Sequence, residues 1–144
     1  MTDNPVLQRL RSQRSSLHVA MSYERIGGEA VLRRLVDRFY DLMDEDPDYF
    51  GIRRLHPEDL AHSREKLFMF LSGFTGGPSL YAEKYGEPRM RTRHMPYAIG
   101  SPERDQWLSC MDRAMADTGL DEELRRKLGM AFQQTADFIR NQPE

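Results

Sequence analysis

The amino-acid sequence predicts a single all-α domain, and three observations support that prediction. Apolar residues recur every three or four positions along four long segments, a spacing that places them on one face of a helix. Nothing along the chain reads as a run of strands, and no internal repeat is present. A chain of 144 residues has the size of one domain with one core.

Composition excludes several classes of protein. With 21 basic and 23 acidic residues, the formal net charge of -2 gives no bulk attraction to nucleic acid or to anionic membranes. A single cysteine, Cys110, excludes an internal disulfide and a multi-cysteine metal site, which suits a reducing cytoplasm. The sequence contains no recognisable membrane span or secretion signal. We therefore expect a cytoplasmic protein that binds neither nucleic acid nor membranes.

The chain is predicted to begin with an extension that leads into a long helix. Residues 1–22 are polar and weakly patterned, so we expect a flexible or loosely helical N-terminal extension there. A pair of glycines at 27–28 permits a sharp change of direction. The first long helix then runs from Glu29 to about Asp44, with Tyr40 on its buried stripe near the C-terminal end.

The second long helix is predicted to open at His56-Pro57-Glu58-Asp59, where a proline without an N–H and two acids suit a helix N-terminus. The helix face that carries Leu67 also carries Ser63. His56 is interpreted from this pattern as a capping or exposed residue. A short turn of helix from Ser79 to Tyr85 follows the second long helix.

Two more long helices are predicted in the C-terminal half. Ser101-Pro102-Glu103 combines a hydroxyl cap, a proline in the first turn and an acid, which is a strong helix start signal. The apolar stripe that follows includes Trp107 and ends at Gly119, and Asp121 opens the last helix. Two pairs of long helices separated by a short irregular segment can hold a flat ligand between the pairs.

The irregular segment, residues 86–100, holds the residue that we expect to carry function. Three arginines at alternate positions lead into His94. Pro96 disfavours helical dihedrals at Met95, so a helix that carries His94 should stop there. An imidazole held in this way can ligate a metal, and guanidinium groups beside it can bind anionic oxygens. A metal cofactor with carboxylate arms would use both; the alternative is a solvated basic loop with an ordinary histidine.

Seven short motifs follow one another along the chain in a characteristic order. They are Gly27-Gly28, Arg38-Phe39-Tyr40, His56-Pro57-Glu58-Asp59-Leu60, Leu67-Phe68-Met69-Phe70-Leu71, Gly76-Gly77-Pro78, Arg91-Thr92-Arg93-His94 with Pro96, and Arg104-Asp105-Gln106-Trp107-Leu108. In this order and spacing the sequence resembles the truncated haemoglobins, the two-over-two helical globins, and most closely their second group. The resemblance implies a truncated-globin haem domain over residues 23–144. Its fold would be a globin-like two-over-two α-helical sandwich with a short proximal segment, preceded by the N-terminal extension.

The resemblance also implies a cofactor and its ligands. The expected cofactor is haem b, with its iron bound by His94 and the opposite side free for a diatomic ligand such as O2, NO or CO. Tyr40 matches the family's distal tyrosine. Trp107, thirteen residues after His94, matches the tryptophan that the second group places over the haem edge. His56 matches a position that varies among tyrosine, phenylalanine and histidine.

Further contacts to the haem are implied in the same way. Ser63 and Leu67 match the two positions of the distal helix that face the haem. Residues suited to the haem propionates are the cations Lys66, Arg91 and Arg93, assisted by Tyr81. The remaining implied cofactor contacts are Phe70, Met90 and Tyr97.

Hydrogen-bond donors near the ligand set the expected function. Bound oxygen carries partial negative charge, which the Tyr40 hydroxyl, the Trp107 N–H and, as a third donor, His56 can meet. Each donor contributes on the order of 1 kcal/mol or more, so two together slow oxygen release by about tens to hundreds of times. The leading prediction is a globin, monomeric or homodimeric, that binds oxygen and related diatomic ligands.

Two other functions stay open at this point. An enzyme, either a nitric oxide dioxygenase or peroxidase-like, would need a separate reductase because the chain carries no flavin or nicotinamide motif. A cofactor-free helical interaction module would place Tyr40 and Trp107 in its core and expose His94. A purified protein that is colourless yet folded would favour the module.

Overall fold

The structure is a computed structural model that describes residues 22–140, apart from the side chain of Arg91. Within this range the chain forms eight α-helices, one 3-10 turn and no strand. The helices are α1 (Ser22–Ile26), α2 (Gly28–Glu45), α3 (Phe50–Arg53), α4 (Ala61–Phe74), α5 (Leu80–Tyr85), α6 (Met90–His94), α7 (Ser101–Asp117) and α8 (Glu122–Ile139), and the 3-10 turn is Pro47–Tyr49. The predicted extension, except for Ser22, lies outside the described residues.

The four long helices form two pairs. Helix α2 packs against α4, α7 packs against α8, and α2 and α7 join the two pairs. The core is built from the apolar stripes of these helices, and its largest fully buried side chains include Leu32, Leu35, Phe39, Phe68, Leu71, Met111, Met115, Leu124 and Leu128. This arrangement confirms the predicted all-α fold. No helix within residues 22–140 is long and apolar enough to cross a membrane.

Helix α4 begins later than the sequence predicts. The expected start at His56 is wrong, because the helix begins at Ala61. The guanidinium of Arg53 donates to the carbonyl oxygens of Pro57 and Glu58, both at 2.9 Å, and so folds residues 54–60 back over α3. The Asp59 carboxylate then accepts a hydrogen bond from the Ala61 N–H at 2.9 Å. His56 therefore lies in a loop before the distal helix.

The last two long helices begin within one residue of their predicted starts. Helix α7 begins at Ser101, but its cap is Gly100, whose N–H donates to the Glu103 carboxylate at 3.4 Å. The Ser101 hydroxyl instead accepts a hydrogen bond from Arg140 at 3.0 Å. Asp121 caps α8 as predicted, since its carboxylate accepts from the Leu124 N–H at 2.8 Å.

A ladder of four hydrogen bonds joins residues 46–52 to α7. Arg113 Nη1 donates to Asp46 Oδ2 at 2.6 Å and to Tyr49 Oη at 3.1 Å. Tyr49 Oη also lies 3.1 Å from Ser109 Oγ, and the Ile52 N–H donates to Gln106 Oε1 at 3.1 Å. As the residue numbers rise from 46 to 52, the numbers of their partners on α7 fall, so the two segments run antiparallel. The 46–52 ladder therefore fixes the chain just before His56 to the helix that carries Trp107.

Cys110 lies on the buried side of α7, facing α2. Its side chain is fully buried, and its thiol donates to the Phe39 carbonyl oxygen at 3.2 Å. Burial raises the pKa of the Cys110 thiol to about 12. The residue is a packing element, as the sequence predicts.

Candidate functional site

His94 is the last residue of the one-turn helix α6, which ends just before Pro96 as predicted. Its Nδ1 lies 2.6 Å from the Met90 carbonyl oxygen. A carbonyl oxygen can only accept, so Nδ1 carries the hydrogen, and Nε2 is the ring nitrogen that would ligate a metal. An imidazole oriented by a backbone carbonyl in this way is the form that binds a metal through Nε2. The half-buried ring of His94 therefore has the chemistry of a metal ligand.

Tyr40 is buried on α2, with 5% of its surface exposed. Its ring meets the neighbouring Phe39 ring edge-on at 5.0 Å and the His56 ring edge-on at 5.7 Å. Burial raises the pKa of the Tyr40 hydroxyl, although the charge of Arg64 opposes the shift. The hydroxyl is therefore protonated at neutral pH and is available as a hydrogen-bond donor.

Trp107 lies on α7, half-buried beside the core. Its ring packs 5.3 Å from Phe39 and edge-on to Phe132 at 5.5 Å. Phe39 thus contacts both Tyr40 and Trp107, and it holds the two predicted distal residues beside one buried ring.

His56 is half-buried in the loop between α3 and α4. Its Nδ1 lies 2.8 Å from the Ile52 carbonyl oxygen, so Nδ1 must be the donor. Burial lowers the pKa of His56, the charges of Arg53 and His94 act in the same direction, and the bond to Ile52 opposes them. The neutral ring that donates through Nδ1 presents an acceptor at Nε2, and the role of His56 toward a bound ligand stays a prediction.

Helix α4, which the sequence predicts to be the distal helix, has a face that is not completely covered. Its predicted site residues, Ser63, Lys66, Leu67 and Phe70, are all half-buried. The Phe70 ring stacks on Phe74 at 5.4 Å and meets the buried Tyr81 edge-on at 6.3 Å. Leu67, Phe70 and Trp107 all pack against the core without being fully covered by it, which suits a surface that holds an apolar ring.

Two cations lie over aromatic rings near this face. The Lys66 ammonium is 5.4 Å from the centre of the Tyr85 ring, and the Arg93 guanidinium is 5.5 Å from that of Tyr81. Neither forms an ion pair with a carboxylate in the described part of the chain, whereas ion pairs engage Arg33, Arg38, Arg53, Arg64, Arg104 and Arg113. Lys66 and Arg93 are therefore available to an anionic group, as the haem propionates require.

Two further predicted contacts lie beside His94. Met90 is half-buried at the start of α6, and the contact it makes with His94 is through its carbonyl oxygen. Tyr97 is 46% exposed, and its N–H donates to the His94 carbonyl oxygen at 3.0 Å.

Sequence reasoning missed Gln106. Its side-chain oxygen accepts from the Ile52 N–H and so reaches the segment that carries His56. The residue stands inside a motif that was recognised, directly before Trp107. A lone polar side chain on an amphipathic helix gives no periodic signal, so the pattern of the sequence could not single it out.

Two surface clefts lie away from these residues. One, of about 360 Å³, lies among α1, α2, α4 and α5 and includes Arg33, Phe68 and Lys84. The other, of about 310 Å³, lies between α7 and α8 and includes Met111 and Arg125. Neither is lined by His94, Tyr40 or His56, so the donor chemistry described above, and not the volume of a cleft, identifies the site.

His56 is expected to make stability depend on pH. Its pKa is below the ordinary 6.5 in the folded protein, so unfolding takes up a proton when the pH falls below that value. The free energy of unfolding should therefore fall as the pH drops through about 6.5 towards the lowered pKa, and should be unaffected by this group at higher pH. In a His56→Gln variant this dependence should be shallower. Urea denaturation of both proteins at a series of pH values measures the slopes, and equal slopes would contradict the assignment.

Comparisons with known proteins give one consistent result. A family model for bacterial-like globins matches residues 21–141. The group 2 truncated hemoglobin YjbI of Bacillus subtilis (strain 168) is 40% identical over 122 residues, which are 85% of this chain and 89% of that protein. A group II 2-on-2 hemoglobin from Agrobacterium tumefaciens superposes with a TM-score of 0.82 at 42% identity, over 85% of this chain and 95% of that one. A truncated oxygen-avid haemoglobin from Bacillus subtilis superposes with a TM-score of 0.77 at 39% identity, over 84% of this chain and 99% of that one.

Proposed function

From the premise that the chain belongs to the bacterial-like globins, as a truncated haemoglobin of the second group, we propose that it binds haem b through His94 and reversibly binds O2, NO and CO. Membership of the globins itself implies a haem cofactor and diatomic gases as ligands. The proposal adds the form of haem, the residues that hold it and the behaviour of the pocket.

The observation that carries the proposal is the hydrogen bond from His94 Nδ1 to the Met90 carbonyl oxygen at 2.6 Å. It fixes the ring with a lone pair on Nε2, which is what a haem iron requires of its proximal ligand. The bond is local to α6, so the ring is oriented by the same turn of helix that carries it. Haem, when bound, would supply an iron centre that can bind a diatomic ligand.

The remaining residues suit the other parts of the cofactor. Lys66 and Arg93, which lack carboxylate partners in the described chain, would meet the propionates, with Arg91 and Tyr81 beside them. The half-buried Ser63, Leu67 and Phe70 would line the distal face of the ring, and Met90 and Tyr97 would lie near its proximal face. These side chains would bind and orient the ring and would exclude water from it.

On the distal side, the Tyr40 hydroxyl and the Trp107 N–H would donate to the bound ligand. The rings of both residues pack on the buried Phe39 ring, and in a pocket closed to water their hydrogen bonds would not be weakened by competition. Two donors of on the order of 1 kcal/mol each would slow oxygen release by about tens of times or more. The oxygen avidity of the related Bacillus subtilis protein supports this expectation. Slow release suits a protein that holds oxygen for chemistry better than one that transports it.

An enzymatic function is the second candidate, and the state of His56 favours it. A neutral imidazole with an acceptor at Nε2 can take up a proton and return it, which is the general acid-base function that peroxide chemistry needs. A nitric oxide dioxygenase would require a separate reductase to return ferric iron to the ferrous state, and a peroxidase would require a reducing substrate.

An absorption spectrum tests the proposed function directly. The purified protein is measured in the ferric form, after reduction with dithionite, and after addition of carbon monoxide. We expect a haem spectrum that shifts on reduction and again with carbon monoxide. A folded protein that is colourless and does not take up added haem would contradict the proposal and favour the helical interaction module.

A further inference from the structure

We infer that Gln106 is a positioning residue that acts through Ile52 to hold His56 with its hydrogen on Nδ1. The inference deepens the proposed function and rests on it, since His56 matters as a group of the ligand pocket. It assigns a role in the pocket to a residue whose side chain contacts the backbone of Ile52.

Ile52 links the two side chains. Its N–H donates to Gln106 Oε1 at 3.1 Å, and its carbonyl oxygen accepts from His56 Nδ1 at 2.8 Å. The same carbonyl accepts the Leu55 N–H at 3.1 Å, which occupies its second lone pair. Ile52 is therefore held at both of its backbone polar groups, on one side by α7 and on the other by the imidazole.

Gly51 gives independent support, because it shows how closely the Gln106 amide approaches the backbone. A Cβ at this position would lie 2.7 Å from both the Nε2 and the Oε1 atom of Gln106. Real Cβ atoms do not approach other heavy atoms so closely, so any larger residue would displace the amide. The segment accepts the Gln106 side chain because position 51 carries no side chain of its own.

The 46–52 ladder places this contact at the end nearest to His56. Asp46 and Tyr49 fix the earlier part of the segment to α7. Gln106 provides the final hydrogen bond before the chain leaves α7 for the loop. Without that bond α7 no longer restrains Ile52, and the place of its carbonyl relative to the ring of His56 depends on the local hydrogen bond from the Leu55 N–H.

The consequence concerns which ring nitrogen carries the hydrogen. A neutral histidine in water favours hydrogen on Nε2, so the bond to Ile52 reverses the ordinary preference and leaves Nε2 as an acceptor. A released ring would revert to the Nε2–H form and could act as a third donor to a bound diatomic ligand. Gln106 thus keeps His56 as a proton acceptor instead of a donor.

The test compares Gln106→Met with Gln106→Glu. Methionine has a similar length and removes the acceptor, whereas glutamate keeps an oxygen for the Ile52 N–H. Long-range proton-nitrogen NMR of the carbon monoxide complex, at a pH where His56 is neutral, distinguishes the two ring forms. We expect the Nδ1–H pattern in the parent and in Gln106→Glu, and a shift to the Nε2–H pattern in Gln106→Met. Oxygen release should become slower in Gln106→Met, by up to about fivefold, because a donor is added to the pocket.

A Gly51→Ala variant approaches the same contact from the other side. The added Cβ should displace the Gln106 amide and give the Nε2–H pattern with Gln106 still present. An unchanged Nδ1–H pattern in both Gln106→Met and Gly51→Ala would overturn the inference. If the protein binds no haem, the proposed function fails, while the same NMR comparison on the haem-free chain still decides whether Gln106 positions His56.

Discussion

His94→Ala is expected to lose the haem spectrum that shifts with carbon monoxide, because the bond between the haem iron and the protein would be gone. Any haem that the variant retains after gel filtration should be less than about a tenth of the parent's occupancy. The structural basis is the hydrogen bond from His94 Nδ1 to the Met90 carbonyl oxygen, which orients the ring for binding through Nε2. Imidazole added to the variant should partly restore the parent spectrum, since a free ligand can occupy the space vacated by the side chain. Absorption spectra at equal protein concentration measure both effects.

The matched control is His62→Ala. His62 is exposed on α4, so its loss should leave the spectrum and the haem occupancy unchanged. If His94→Ala retained full occupancy and the same response to carbon monoxide, another residue would be the iron ligand and the proposed proximal site would be wrong.

Tyr40→Phe and Trp107→Phe are each expected to accelerate oxygen release by about fivefold to tenfold, and the double variant by about tens to hundreds of times. The reason is that each substitution removes one donor and retains an aromatic ring beside Phe39. Stopped-flow displacement of oxygen by carbon monoxide measures the rates. Trp107→Phe in particular should release oxygen faster than the parent, and an equal rate would exclude its donor role.

Tyr49→Phe serves as the control for the loss of a buried tyrosine hydroxyl. Tyr49 is as deeply buried as Tyr40, but its hydroxyl bonds Ser109 and lies 3.1 Å from Arg113 in the 46–52 ladder. Its loss should lower the free energy of unfolding by about 1 kcal/mol and leave the rate of oxygen release unchanged. A faster release in Tyr49→Phe would mean that general loosening, and not a lost donor, explains the result for Tyr40.

Much of the helical architecture could be predicted because it follows from the local spacing of apolar residues. The stripe of α2 appears in the sequence at every third or fourth position, and the Asp121 cap of α8 is a signal confined to four residues. The start of α4 could not be predicted in the same way. It depends on the Arg53 side chain reaching the carbonyls of Pro57 and Glu58, a contact that no apolar repeat or capping signal records.

The same distinction separates the parts of the site. His94 could be predicted because the features that hold it, Pro96 and a carbonyl four residues earlier, are its neighbours in the chain. The state of His56 follows from a bond to Ile52, whose own position depends on Gln106, 54 residues further along. A contact between residues so far apart in the chain produces no pattern in either segment, so the sequence could not show which nitrogen of His56 carries the hydrogen.

The buried thiol of Cys110 has a practical consequence for studies of nitric oxide. Nitrosation and oxidation of cysteine proceed mainly through the thiolate, and with its pKa raised to about 12 this thiol is almost entirely neutral at physiological pH. It is also fully buried and engaged with the Phe39 carbonyl, so reagents in solution do not reach it. Because the chain has one cysteine, folded protein offers no competing sulfur for nitric oxide. Nitric oxide consumed in such an assay can therefore be counted against the haem without correction for S-nitrosation.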